Sequence, residues 1–243
     1  MRVRQLSQTS QSKAEKVLGR LLARLDGVAD PASPETAVTG LETSFGDQFY
    51  IPSSVQANVL APMVIALHGA GGRGEQSVRL LQPLTDATGT IVLAPDSRGT
   101  SWDILRGGFG PDINFIDSAL THVFSRYTID PTRLAIGGFS DGASYALSVG
   151  ITNGDLFSHI LAFSPGFSAP ATQCGAPRIY ISHGTRDTVL PINRCSRAVI
   201  PLLRNAGYDV TYREFDGPHE VPPEITNDAF DWFLGTDAAT IFR

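Results

Sequence analysis

Scarcity narrows the nature of this 243-residue chain before any motif is read. Its two cysteines, Cys174 and Cys195, lack the short spacing of a zinc site or a disulfide framework. No apolar run reaches the roughly eighteen residues of a membrane span. Positive charge is not in excess: 19 Lys and Arg against 24 Asp and Glu leave a net charge of −5. That balance denies the basic face a nucleic acid would need, so no nucleic-acid partner is expected. The first residues lack the apolar core of a secretion signal, and a cytoplasmic location is the expectation. Internal repeats and low-complexity tracts are also missing. Hydrophobic residues, at 42%, suffice for a full core, and the length suits one large domain.

The first 39 residues read as an extension. Ser12-Lys13-Ala14-Glu15 has the form of a capping box, with Ala14, Leu18, Leu21, Leu22 and Leu25 following at helical spacing. This predicts a helix over residues 13–26 with a leucine stripe and a basic back. The stripe is expected to pack on the body or on a second subunit in a homodimer. Contact with a membrane surface and organelle targeting are the alternatives. Asp30-Pro31-Ala32-Ser33-Pro34 reads as a linker.

Residues 40–243 read as one domain. Leu41-Glu42-Thr43 and Gln48-Phe49-Tyr50-Ile51 suit paired antiparallel strands, and Met63-Val64-Ile65-Ala66-Leu67 suits a buried central strand. Further strands are predicted at 90–94, 134–137, 159–163, 179–182 and 210–215. Helices are predicted at 75–88, 112–126 with Asp112 as N-cap, 141–151, 193–205 and 223–234. Alternation of this kind implies an α/β fold: a mostly parallel central sheet with helices on both faces.

Between the predicted strand at 134–137 and the helix that follows lies Gly138-Phe139-Ser140-Asp141-Gly142. A turn that lifts one hydroxyl above a sheet edge strains the serine backbone and leaves no room for Cβ atoms at the flanking positions. Ser140 therefore reads as a nucleophile. Ligands of open α/β sheets bind beyond the carboxyl ends of the strands, so polar residues in those loops are the candidates. One such loop is His68-Gly69-Ala70-Gly71-Gly72-Arg73-Gly74, with four glycines in seven residues. It reads as half of an oxyanion hole, with the N–H of Asp141 as the second donor. A nucleophilic serine needs a base, and the base needs a carboxylate to fix its tautomer. Asp187 and His219 occupy the two later carboxyl-end loops in the order Ser, Asp, His. The competitors are His68 and His183, each at a strand end before a glycine, and Asp216, three residues before His219. His122 and His159 fall within hydrophobic periodicity and read as structural.

Four segments together resemble a known family: Gly138-Phe139-Ser140-Asp141-Gly142, the 68–72 loop, His183-Gly184-Thr185-Arg186-Asp187 with Val189-Leu190-Pro191, and Gly217-Pro218-His219-Glu220-Val221-Pro222. They look like the α/β-hydrolase fold and, within it, the phospholipase/carboxylesterase branch that includes acyl-protein thioesterases. The resemblance covers about residues 45–235. It implies Ser140, Asp187 and His219 as a catalytic triad, with the N–H groups of Ala70 and Asp141 holding an oxyanion. It implies no cofactor and no metal. Position 141 is often glutamine in that branch. A carboxylate beside an oxyanion would oppose catalysis, so the Asp141 side chain is expected to turn away.

The expected function is hydrolysis of small-molecule carboxylic esters with short to medium acyl chains through an acyl-enzyme. A thioesterase or lysophospholipase, a polyester depolymerase or a peptidase would use the same triad, and a non-catalytic binding module would keep only the fold. Gly71, Trp102, Phe109 and Phe167 are the candidate pocket walls. No insertion is long enough for a large lid. Cys174 and Cys195 flank opposite ends of a strand spanning roughly 20 Å, beyond disulfide reach, and are expected as free thiols.

Overall fold

The apolar run with the least polar interruption becomes the middle of the sheet. Residues 18–25, 40–44, 47–56 and 59–236 are described in the computed structural model. Strands β1 (Gly40–Ser44) and β2 (Asp47–Ile51) form an antiparallel pair at one edge. Strand β3 (Ala61–Leu67) is followed by helix α1 (Gly74–Thr88), strand β4 (Ile91–Pro95) and helix α2 (Pro111–Phe124). Strand β5 (Ile129–Phe139) then leads into helix α3 (Asp141–Thr152). The remainder comprises β6 (His159–Phe163), β7 (Arg178–Gly184), α4 (Ser196–Asn205), β8 (Val210–Phe215) and α5 (Pro223–Leu234).

The eight strands run in the order β1-β2-β4-β3-β5-β6-β7-β8. Pairing is antiparallel from β1 through β2 to β4 and parallel from β4 to β8. Each face of the sheet carries its own apolar cluster. One contains Met63, Ile65, Ile136 and Leu147, and the other contains Val64, Ala135, Tyr180 and Phe230. Alternation of neighbouring residues between the two faces explains why these strands read as continuous apolar runs.

Two expectations fail for identifiable reasons. Residues 18–25 are not helical. They form an irregular strap across α2 and α3, while 13–17 and 26 lie outside the described residues. Gly19 sits at φ 74°, a left-handed turn that breaks the expected helix. Next, the backbone N–H of Leu21 donates to Asn153 Oδ1 (2.8 Å), and those of Leu22 and Ala23 donate to Asp117 Oδ1 (2.6 and 2.8 Å). These donors are spent on the body instead of on a helix. Leu21 is fully buried and Ala23 nearly so, whereas Leu22 faces outward; the side chains follow a period of two. Of the stripe's described residues, Leu21 is buried against the body, while Leu18 and Leu22 stay exposed. Arg20 grips both carboxylate oxygens of Asp155 (2.7 Å each) and the Thr152 carbonyl (2.6 Å).

The second failure is at Asp112, which does not cap α2. Gly110 holds the cap position and Pro111 opens the helix. The buried Asp112 carboxylate instead accepts the N–H groups of Arg98 (2.6 Å) and Asp103 (2.7 Å), tying down the loop after β4. Cys174 and Cys195 are unpaired. Among the described residues, no helix is long and apolar enough to cross a membrane.

Candidate active site

Strands β3, β5, β7 and β8 end at one edge of the sheet, and the loops leaving them converge there. β5 ends at Phe139, and Ser140 turns at φ 57° and ψ −119° before α3 begins. Such a backbone is costly for a residue with a side chain, and it persists only where the surroundings enforce it. The Ser140 N–H donates to the Phe163 carbonyl (2.9 Å), and two glycines permit the turn. A Cβ at Gly142 would overlap the carbonyl oxygens of Leu67 and His68, and one at Gly138 would come within 2.6 Å of the Gly142 backbone.

His219, in the loop after β8, presents Nε2 to Ser140 Oγ at 2.9 Å. Its Nδ1 lies 2.6 Å from Asp187 Oδ2, in the loop after β7. The Phe139 ring stacks obliquely on the imidazole, 4.6 Å between centroids. The two loops are tied to each other: the Thr185 N–H donates to the Phe215 carbonyl (2.8 Å) and that of Arg186 to Gly217 (2.9 Å). Burial alone would raise the Asp187 pKa. The Leu190 N–H, His219 and the Val189 N–H outweigh it and hold the carboxyl below its ordinary range. The carboxylate can therefore accept Nδ1–H from His219, leaving Nε2 free to draw the hydroxyl proton.

The competing residues occupy other places. Asp216 is mostly exposed and pairs with Arg186 Nε (3.1 Å) instead of with His219. His68 bonds the Gly69 carbonyl through Nδ1 (2.7 Å) and accepts the Ser97 N–H at Nε2 (3.0 Å). His159 is buried against Trp232 and Phe233, and burial, then the Arg178 charge, pushes it down to about 4. His183 is buried beside Asp187.

The glycine loop reaches the serine directly, since a Cβ on Gly69 would lie 3.4 Å from Ser140 Cβ. Ala70 and Gly71 are both exposed in the turn, and the Gly71 N–H is used by the Thr100 carbonyl (2.9 Å). The Asp141 N–H is the first of α3, where helical partners are lacking. Its side chain points aside, accepting the Ser101 hydroxyl proton at Oδ2 (2.7 Å).

The candidate pocket walls divide. Gly71 is exposed at φ 66° and borders open space. Trp102 has no exposed surface, which corrects its expected place in the pocket wall. Its Nε1–H holds the His68 carbonyl (2.9 Å) and its ring stacks on Tyr145 (5.1 Å), so it braces the glycine loop from beneath. Phe109 lies under Gly19 of the strap and, with Asp103 and Arg106, lines an open cavity of about 410 Å³. Phe167 is half-buried in the loop after β6.

Sequence reasoning missed the groups that hold these loops. Tyr145 donates to Asp103 Oδ1 (2.9 Å), and Asp103 Oδ2 accepts the N–H groups of Gly110 and Asp112 (2.8 Å each). Ser144 and Ser148 of α3 accept the N–H groups of Gly166 (2.9 Å) and Ala169 (3.0 Å). The four-residue spacing from Ser140 through Ser144 and Ser148 to Thr152 was a visible signal of one polar helix edge. Among the described residues, no cluster of three or more His, Cys, Asp or Glu side chains could hold a metal ion.

Residues 112–233 match the family model described as phospholipase/carboxylesterase. An acetylxylan esterase of Coprinopsis cinerea is 29% identical over 218 residues, covering 68% of this chain and 57% of that protein. Feruloyl esterase B of Thermothelomyces thermophilus is 31% identical over 116 residues, covering 41% and 39%. The chain spans 21% to 57% of the length of the curated relatives it matches. The crystal structure of esterase PE8 superposes with a TM-score of 0.64 at 22% identity, covering 81% of this chain and 99% of that one. The fold is that of the α/β hydrolases, and the chain belongs to the phospholipase/carboxylesterase family.

Proposed function

We propose that the protein is a serine hydrolase that cleaves carboxylic esters of short to medium acyl chains, with Ser140, His219 and Asp187 as its catalytic triad. One observation carries the reading: the unbroken hydrogen-bonded chain from Asp187 through His219 to a hydroxyl on a strained turn. Ser140 Oγ attacks the ester carbonyl carbon as His219 Nε2 takes its proton. The carbonyl π electrons move to oxygen, and the N–H groups of Ala70 and Asp141 hold the resulting charge. The tetrahedral species collapses, the alkoxide takes the proton from His219, and the alcohol leaves. Water then repeats the sequence on the acyl-enzyme, releasing the carboxylic acid and restoring Ser140.

The preference for modest acyl groups has two supports. The loop after β6 is pinned down onto α3 by Ser144 and Ser148. Relatives named acetylxylan and feruloyl esterases carry small acyl groups in their names. The two unpaired thiols support a cytoplasmic location. A series of p-nitrophenyl esters of increasing chain length, run on wild type and Ser140→Ala, tests the proposal. Turnover is expected to peak at short to medium chains and to vanish in the variant. Turnover unaffected by Ser140→Ala, or activity on thioesters or peptides alone, would refute it.

A further inference from the structure

His183 has no exposed surface and lies against the carboxylate of the site, yet the mechanism above gives it no task. Its hydrogen bonds define its protonation. Nε2 is 2.8 Å from the Leu190 carbonyl oxygen, which can only accept, so Nε2 carries a proton. Nδ1 is 2.7 Å from Ser196 Oγ. A second ring proton would bury an imidazolium, and burial pushes the His183 pKa down, so Nδ1 accepts the Ser196 hydroxyl proton. The same Nε2–H lies 3.2 Å from Asp187 Oδ2, the oxygen that also meets His219. The Leu190 peptide is bracketed as well, its C=O held by His183 and its N–H donating to Asp187 Oδ1.

We propose that His183, locked as its neutral Nε2–H tautomer by Ser196 and Leu190, is a positioning residue for the Asp187 carboxylate. The inference rests on the catalytic reading of Asp187. His183 acts on that carboxylate twice, directly through Oδ2 and indirectly through the Leu190 peptide. The opposite tautomer would turn a lone pair against two oxygens, so the Ser196 hydroxyl selects the working form. The other groups facing the ring do not compete. Glu214, its register partner on β8, is held by Arg197 through both oxygens (2.8 and 2.6 Å). The Cys195 thiol is pushed up by burial and then by the Asp187 charge, and stays neutral. That leaves Asp187 and, through it, His219.

Three variants test this. His183→Gln keeps an N–H donor near the place of Nε2, His183→Met keeps the length without the donor, and Ser196→Ala frees the tautomer without touching the ring. The Met variant is expected to lose roughly tenfold in kcat at nearly constant KM. Its acid limb of kcat/KM should move to higher pH, because a carboxylate short of a donor holds protonated His219 more tightly. Gln should restore the limb and most of the rate, and Ser196→Ala should fall between. Nitrogen-15 NMR of wild type should show position 183 with Nε2 alone protonated at about pH 7. An Nδ1–H tautomer or an imidazolium there overturns the proposal, as does an acid limb shared by wild type, Met and Ser196→Ala variants. A wild type that turns over no ester yet keeps the Nε2–H tautomer overturns the catalytic reading and supports the positioning of Asp187.

Discussion

His68-Gly69 at the end of β3 and His183-Gly184 at the end of β7 are the same dipeptide at the same edge of one sheet, doing different work. At the first, Nε2 accepts from Ser97 and Nδ1 carries the proton, donating to the neighbouring Gly69 carbonyl; the ring ties the glycine-rich loop to the loop after β4. At the second, Nε2 carries the proton and faces Asp187. Opposite tautomers of one side chain therefore hold opposite halves of the site, the glycine-rich loop and the carboxylate. The lesson is that a histidine's role follows from which partners can only donate or only accept.

The largest effect expected on either half comes from the group they share. Ser140→Ala should lower kcat by about 10⁴–10⁶ while leaving the melting temperature nearly unchanged, read from ester turnover and calorimetry. Should the variant retain a tenth of the activity, neither turn serves a nucleophile. Next, His68→Met should cost roughly tenfold in kcat by loosening the glycine loop, with the acid limb of kcat/KM unmoved. A limb displaced as in His183→Met would erase the distinction between the turns.

Stability against pH sharpens the comparison further. Asp187 sits below its ordinary range, so its contribution is present above about pH 4 and is lost as pH falls through its folded value. His183 and His159 are also depressed, but as bases: the unfolded chain binds more protons below their ordinary value of 6.5. Stability should therefore fall as pH drops from 6.5 toward 4. His159 lies away from both turns and accounts for up to ~3 kcal/mol of the loss. Urea midpoints of His159→Gln that follow wild type across this window would contradict that share. The smallest effect is expected at Asp141→Asn, less than about threefold in kcat/KM, since its backbone N–H is retained and its side chain serves Ser101. A loss of a hundredfold there would mean that the carboxylate itself takes part.

Much of this was legible in the sequence, where local chemistry leaves one solution. Gly138 and Gly142 flank a turn with no room for side chains, and the order Ser140, Asp187, His219 on the carboxyl-end loops after β5, β7 and β8 pointed to a nucleophile with its base and carboxylate. The parallel strands were readable as unbroken apolar runs bounded by glycine and proline. What stayed hidden depends on partners distant in the chain. Leucine spacing over 13–26 spelled a helix, but Asn153 and Asp117 claim the backbone N–H groups of residues 21–23. Asp112 had the look of a cap, yet Arg98 and Asp103 take its oxygens. Trp102 fell in the expected pocket loop, and only the stacking on Tyr145 reveals that it faces inward.

The most direct test treats the protein with a fluorophosphonate and maps the adduct by mass spectrometry. The account predicts one adduct per chain, on Ser140, formed quickly in wild type and at least a hundredfold more slowly in His219→Ala. Ester turnover that continues with Ser140 unlabelled, or a stoichiometric adduct on another residue, would contradict it.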